Sequence, residues 1–263
     1  MTERPVVCCD LDGVVWLGDE PIAGGGPAIA MLRDAGVRVV FVTNNSGNTP
    51  ADYVAKLGRM SIPAAAADVL SSAMAAARWC RASLAPGARV LACAGEGVRE
   101  ALAAEGFVVV DEPPAAAVVV GFHREFDYER LTRAADAARA GALLVATNTD
   151  PTYPGPNGTL LPGAGSIAAA VATASGCTPV VVGKPHETLA ALVKEVCGER
   201  GVMIGDRAST DGAFAAALGW PFAFVRSGVQ GDDDAPVPPA LVADDLLALA
   251  PRLLESGLVA AAP

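Results

Sequence analysis

One feature narrows what this chain can fold into more than any other: short, β-branched apolar runs closed by Gly, Pro or Asp alternate with stretches of helical spacing from end to end. The apolar runs fall at 5–9, 37–43, 89–94, 107–110, 116–121, 143–146, 179–183, 202–205 and 221–225. Runs that are apolar on both faces belong to strands buried in a parallel sheet. Helical spacing occupies 26–35, 51–60, 71–83, 97–106, 127–140, 165–175, 186–198 and 211–218. Thr49 before Pro50 makes an N-cap with proline at the first helical position. This alternation predicts an α/β fold, a Rossmann-like doubly wound parallel sheet. The acidic turn at 231–234, the Pro-rich segment after it and the Ala-rich tail are the compositional breaks.

A length of 263 residues suits a core with a smaller second domain. Apolar residues make up 52%, much of it Ala and Val, yet runs such as 115–120 fall far short of the ~20 residues that span a membrane. The opening MTERPVVCCD holds no signal-type apolar region, and a soluble, cytoplasmic protein is expected. With 19 Lys+Arg against 29 Asp+Glu, the net charge of −10 excludes nucleic acid and anionic membrane as partners. An anionic substrate must be met by local cations. The six cysteines form no CxxC pair and read as reduced structural thiols.

Four segments share a position at the carboxyl end of an expected strand: 9–13 (CDLDG), 42–45 (VTNN), 183–185 (GKP) and 205–211 (GDRASTD). Ligands of open α/β sheets bind outside those ends, so the four can converge. Asp10 and Asp12, with Gly13 permitting a turn, can share one crevice. Asp206 is the natural third acid, with Asp211 beyond it. Oxygen donors alone, with His123 and His186 as the only histidines, suit Mg²⁺ and not Zn²⁺. Thr43, Asn44 and Asn45 offer a hydroxyl, amides and N–H groups for phosphate oxygens, and Lys184 a point charge. Taken singly, each has a plain reading as well: a solvated acidic turn, an Asn-rich turn, a surface lysine.

Together the segments DLDGV, FVTNNS, GKP and GDRASTD resemble the four motifs of haloacid dehalogenase-type hydrolases. With PGAGS at 162–166 they are similar to the NagD-like, p-nitrophenyl phosphatase branch, and the likeness covers nearly the whole chain. The resemblance implies a Mg²⁺-dependent phosphatase acting on a small phosphorylated metabolite. In it Asp10 is the nucleophile that becomes an aspartyl phosphate and Asp12 the acid/base. Asp10 and Asp206 ligate Mg²⁺ through side chains and Asp12 through its main-chain carbonyl. Thr43, Asn44 and Asn45 hold phosphoryl oxygens, Lys184 stabilises charge, and Asp211 supports the Lys184 or Mg²⁺ environment. One departure is Gly212, where that branch leads one to expect a larger apolar residue.

Only about thirty residues separate the first two motifs, whereas 141 positions separate Thr43 from Lys184. An inserted domain at 83–178 is therefore expected, with 1–82 and 179–263 forming the catalytic core. Its alternating strands and helices resemble a C2a-type α/β cap, which would exclude water from the crevice. Related enzymes dimerise through such caps, which implies a homodimer. Within the cap, 147–154 (TNTDPTYP) ends a strand and starts a Pro- and Gly-rich loop. The resemblance places a substrate-selecting side chain at Tyr153; the alternative is a Tyr anchoring its own loop. His123 and His186 read as structural or surface residues. A phosphomutase would use the same acids but a helical cap between the first two motifs, for which there is no room. A dehalogenase does not need Asp12, and a non-catalytic binding protein does not need the full set.

Overall fold

The computed structural model describes residues 4–154, 159–228 and 238–259. The acidic turn at 231–234 and the tail beyond 259 lie outside the described residues. The chain begins with β1 (Val6–Cys9), a flap of β2 (Trp16–Leu17) and β3 (Glu20–Pro21), α1 (Gly25–Asp34), β4 (Arg38–Thr43), α2 (Pro50–Arg59), β5 (Val69–Ser71) and α3 (Ser72–Ser83). A second unit follows: β6 (Arg89–Cys93), α4 (Glu96–Ala104), β7 (Val108–Val110), β8 (Ala117–Val120), α5 (Tyr128–Arg139), β9 (Leu143–Ala146), the hairpin β10 (Thr152–Pro154) and β11 (Leu160–Pro162), α6 (Ala164–Ser175) and β12 (Val180–Val181). The chain then runs through α7 (Glu187–Cys197), β13 (Val202–Gly205), α8 (Ala213–Leu218), β14 (Phe222–Val225), β15 (Leu241–Ala243) and α9 (Leu246–Glu255).

Two parallel sheets result. The larger has the order β15-β14-β13-β1-β4-β5 and the smaller β12-β9-β8-β6-β7. β1 is central in the larger sheet because all four of its residues are apolar and buried, which leaves both faces free to be covered. Its period-two alternation divides the packing. Val7 and Cys9 face one layer with Ile29, Leu32, Leu249 and Leu253 of α1 and α9. Cys8, Val40 and Val42 face the other, which holds α3, α7 and α8 and continues into Val90, Ala92, Val119 and Val145 of the smaller sheet. The two sheets thus share one apolar cluster. The far face of the smaller sheet is covered by Ala134, Ala137, Ile167 and Val171 of α5 and α6. Alanine at these helix positions lets the layers approach closely, and each larger buried side chain such as Phe41 contributes about 1.5–3 kcal/mol.

The expected α/β architecture is present, with local causes that can be named. α2 starts where Thr49 accepts from Asp52 N while Asp52 reaches back to Thr49 N, a capping box with Pro50 behind it. Several elements have no counterpart in the strand and helix assignments above: the flap, β5, the β10–β11 hairpin, β15 and α9. The run at 179–183 also departs from its expected setting. It forms only Val180–Val181, which pairs with Val145 and Ala146 of β9 and so extends the smaller sheet. Gly212 lies where a Cβ would stand 3.2 Å from the Phe222 ring. A larger side chain there would need the ring to give by a few tenths of an ångström.

Candidate active site

Asp10, Thr43 and Asp206 stand at the carboxyl ends of β1, β4 and β13, and Lys184 follows β12 from the other sheet. All four line one cleft, together with Asp12, Asn44, Asn45, Tyr153 and Asp211. Its floor is an ionic cluster. Lys184 Nζ lies 2.9 Å from Asp10 Oδ1 and 2.7 Å from Asp211 Oδ1. It also reaches the Val42 carbonyl at 3.4 Å. Burial alone would lower the pKa of this ammonium, but Asp10 and Asp211 outweigh burial and hold it above the ordinary lysine value. Burial pushes the Asp10 carboxyl up; Lys184 opposes that rise while Asp211 and Asp206 add to it. Lys184 is thus shared between two carboxylates, with a third, Asp206, close by.

A cluster of carboxylate oxygens suits a hard divalent cation. Carboxylate oxygens of Asp10, Asp206 and Asp211 lie within 4.8 Å of one another. Asp211 is already committed, since its second oxygen accepts from Arg207 N at 3.2 Å, and Asp10 and Asp206 are the pair best placed for Mg²⁺. Gly13 makes room for Asp206: its φ is +86°, and a Cβ there would stand 2.3 Å from Asp206 Oδ2. Asp12 turns its carboxylate elsewhere. Its Oδ1 accepts from Trp16 Nε1 at 2.9 Å, and the ammonium of Lys56 lies 4.2 Å from the Trp16 ring centroid. Burial pushes the Asp12 carboxyl up, with Lys56 and the indole bond holding it back. A carboxyl in this setting suits proton donation.

Thr43 is buried, and its Oγ1 accepts from Asn45 N at 3.0 Å. Tyr53, below, donates to the Asn45 carbonyl at 2.8 Å. Asn44 has a different task from the phosphate contact its side chain was expected to make. Its Oδ1 accepts from Lys184 N at 2.7 Å. Its Nδ2 donates to the Lys184 carbonyl at 3.1 Å and to Asp150 Oδ2 at 3.0 Å. The amide is fully engaged in fixing the lysine loop, and its main chain accepts from Ser72 Oγ and Asn148 Nδ2, each at 2.6 Å. Tyr153 lines the cleft from above, its ring edge-on to Phe122 at 4.9 Å between centroids. Its hydroxyl accepts from Arg124 Nη2 at 3.2 Å.

His123 is buried beside Cys93 and Phe126, and His186 precedes α7. Trp16, Lys56 and Phe122 join the site without having been singled out in the sequence, and Asn148 and Asp150 join it from the cap loop segment 147–154, where no role was given to them. Asn148 and Asp150 carried a usable signal: Thr-Asn-Thr-Asp after β9 repeats the strand-end chemistry of Thr-Asn-Asn after β4.

Residues 7–108 match the family described as haloacid dehalogenase-like hydrolase, and residues 181–249 match one described as HAD-hydrolase-like. The D-glycerol 3-phosphate phosphatase of Mycobacterium tuberculosis is 38% identical over 99% of this chain and 74% of its own. The chain belongs to the haloacid dehalogenase-like hydrolases. Chronophin of Rattus norvegicus is 37% identical over 87% of this chain and 78% of its own length. A crystal structure of a glycerol phosphate phosphatase from M. tuberculosis in complex with magnesium has a TM-score of 0.86 and 36% identity, covering 94% of this chain and 76% of that one. Within this family the chain is a phosphatase, a phosphoric monoester hydrolase.

Proposed function

We propose that Asp10 is the nucleophile of this phosphatase and that its substrates are phosphate monoesters of small polyols, with glycerol phosphate foremost. The observation that carries the assignment is Lys184 held between Asp10 and Asp211 with Asp206 close by. The glycerol phosphate preference is supported by the M. tuberculosis relative, whose likeness runs over 99% of the chain. Bound at Asp10, Asp206 and the Asp12 carbonyl, Mg²⁺ supplies charge neutralisation for the incoming phosphoryl oxygens.

An Asp10 carboxylate oxygen attacks phosphorus, and the bond from phosphorus to the ester oxygen breaks. Asp12 gives its proton to the departing alkoxide. The ammonium of Lys184, the hydroxyl of Thr43, the Asn44 main-chain N–H and the Asn45 side-chain amide offset charge on the phosphoryl oxygens. Water then attacks the phosphorus of the aspartyl phosphate, Asp12 takes its proton, and the bond to Asp10 breaks to release phosphate. The five-stranded unit serves as a cap, with Phe122 and Tyr153 excluding water from above.

Asp10→Asn should lower kcat for glycerol 3-phosphate and p-nitrophenyl phosphate by three orders of magnitude or more, on the scale of losing a covalent nucleophile. Undiminished Mg²⁺-dependent hydrolysis by that variant would refute the assignment. Two copies are expected to join through their caps, where Val108 and Val180 are exposed on the edge strands β7 and β12. A monomeric mass by light scattering at micromolar concentration counts against this. Six free cysteines suit the reducing cytoplasm, where we place the enzyme.

A further inference from the structure

Beside the catalytic cleft lies a second, wider one, and the two share a wall made of Asp12, Asn45, Phe122 and Tyr153. Asp12 faces the departing oxygen in the mechanism above, so a leaving group must extend along this wall. Four permanent cations line the outer cleft: Lys56, Arg99, Arg124 and Arg130. Three are matched by carboxylates, Lys56 by Asp19 at 3.6 Å, Arg130 by Glu125 at 3.5 Å and Arg99 by Asp111. Arg124 has no carboxylate partner among the described residues. It spends a guanidinium N–H on the hydroxyl of Tyr153.

That bond has a chemical consequence. A phenol has one proton and two lone pairs. With a guanidinium donating to its oxygen, one acceptor site is taken and its own O–H becomes a stronger donor. The edge-on contact with Phe122 braces the ring in the wall that the two clefts share. We propose that Arg124 is a positioning residue that sets Tyr153 as a hydrogen-bond donor, selecting esters whose leaving alcohol carries a second acceptor oxygen, a hydroxyl or a carboxylate, on a neighbouring carbon. The proposal rests on the phosphomonoesterase reading and narrows its substrate class.

The test compares propyl phosphate, glycerol 3-phosphate and phosphoglycolate, which share a short chain and differ in oxygen functions. One hydrogen bond of this kind gives the wild type a kcat/KM preference of roughly tenfold for the oxygen-bearing esters over propyl phosphate. Arg124→Ala removes most of that preference, chiefly through KM, and Arg124→Lys restores part of it because an ammonium also donates to the phenol. Tyr153→Phe abolishes the preference, and adding Arg124→Ala to it has no further effect on the ratio. A larger loss for phosphoglycolate than for glycerol 3-phosphate identifies carboxylate as the preferred acceptor, and the reverse identifies hydroxyl. A ratio that survives in Arg124→Ala, or an equal loss from Arg124→Ala with and without the Tyr153 hydroxyl, overturns the inference alone. A wild type that hydrolyses p-nitrophenyl phosphate but treats the three alkyl esters alike overturns the polyol phosphate reading together with it. Arg124 is exposed, so its truncation leaves the packed core intact.

Discussion

Replacing Asn44 with Ala tests whether its amide fixes the lysine loop or binds phosphate. The side chain makes three hydrogen bonds, two to the main chain of Lys184 and one to the Asp150 carboxylate. Lys184 is 3% exposed, so the alanine leaves its N–H and C=O without partners in a dry setting. Each such group costs about 1–3 kcal/mol, and the whole substitution is expected to cost about 3–5 kcal/mol. Urea unfolding followed by circular dichroism measures this as a fall in the midpoint at unchanged slope. Because the same loop aims Nζ at Asp10, kcat should fall with stability, on the order of a hundredfold for a misplacement near 1 Å. Asn44→Asp should be as damaging, since it keeps the acceptor for Lys184 N but sets an oxygen against the Lys184 carbonyl and Asp150. A change below 1 kcal/mol with kcat retained and KM raised would show that Asn44 binds phosphate through its side chain, and the reasoning would fail.

Asp211→Asn keeps the shape but removes one of two carboxylates on a buried ammonium; stability should drop by about 3 kcal/mol in urea, with kcat reduced at least tenfold. Gly13→Ala places a methyl against Asp206 at a positive φ, and a magnesium titration of activity should show half-saturation moved up by roughly tenfold or more, the scale of disturbing a metal ligand's support. Chelation with EDTA should abolish turnover. Restoring Mg²⁺ at a hundred times its Kd should stabilise the fold by about 2.7 kcal/mol, visible as a higher Tm; an unchanged Tm would remove the acidic cluster as the metal site.

The α/β class was legible because β-branched runs buried on both faces leave a strong local signature, and most strands from β1 to β14 fall inside such runs. β5 and β15 were not legible: each is three residues long, and only the neighbouring strand makes it a strand. The β10–β11 hairpin lies in a stretch whose Pro and Gly content reads as loop. Asp10, Asp12, Thr43, Lys184, Asp206 and Asp211 could be assembled from the sequence because strand ends converge by topology. The engagement of Asn44 with Lys184 could not, since partners 140 positions apart are chosen by packing between sheets. Trp16, Lys56 and Arg124 carry no motif, and their relevance comes from what they touch.

The pairing of β12 with β9 bears on how such enzymes can be recombined. A cut at 178/179 separates Val180 and Val181 from their partners Val145 and Ala146. β12 and Lys184 then stay together on the piece that loses β9. A chimera meant to import a new substrate roof should therefore cross over after Lys184, inside α7, and carry an Asn at position 44 on the recipient side. Made there, the splice moves Lys184 together with β12 and β9, and the recipient supplies the Asn44 and Asp211 that hold it.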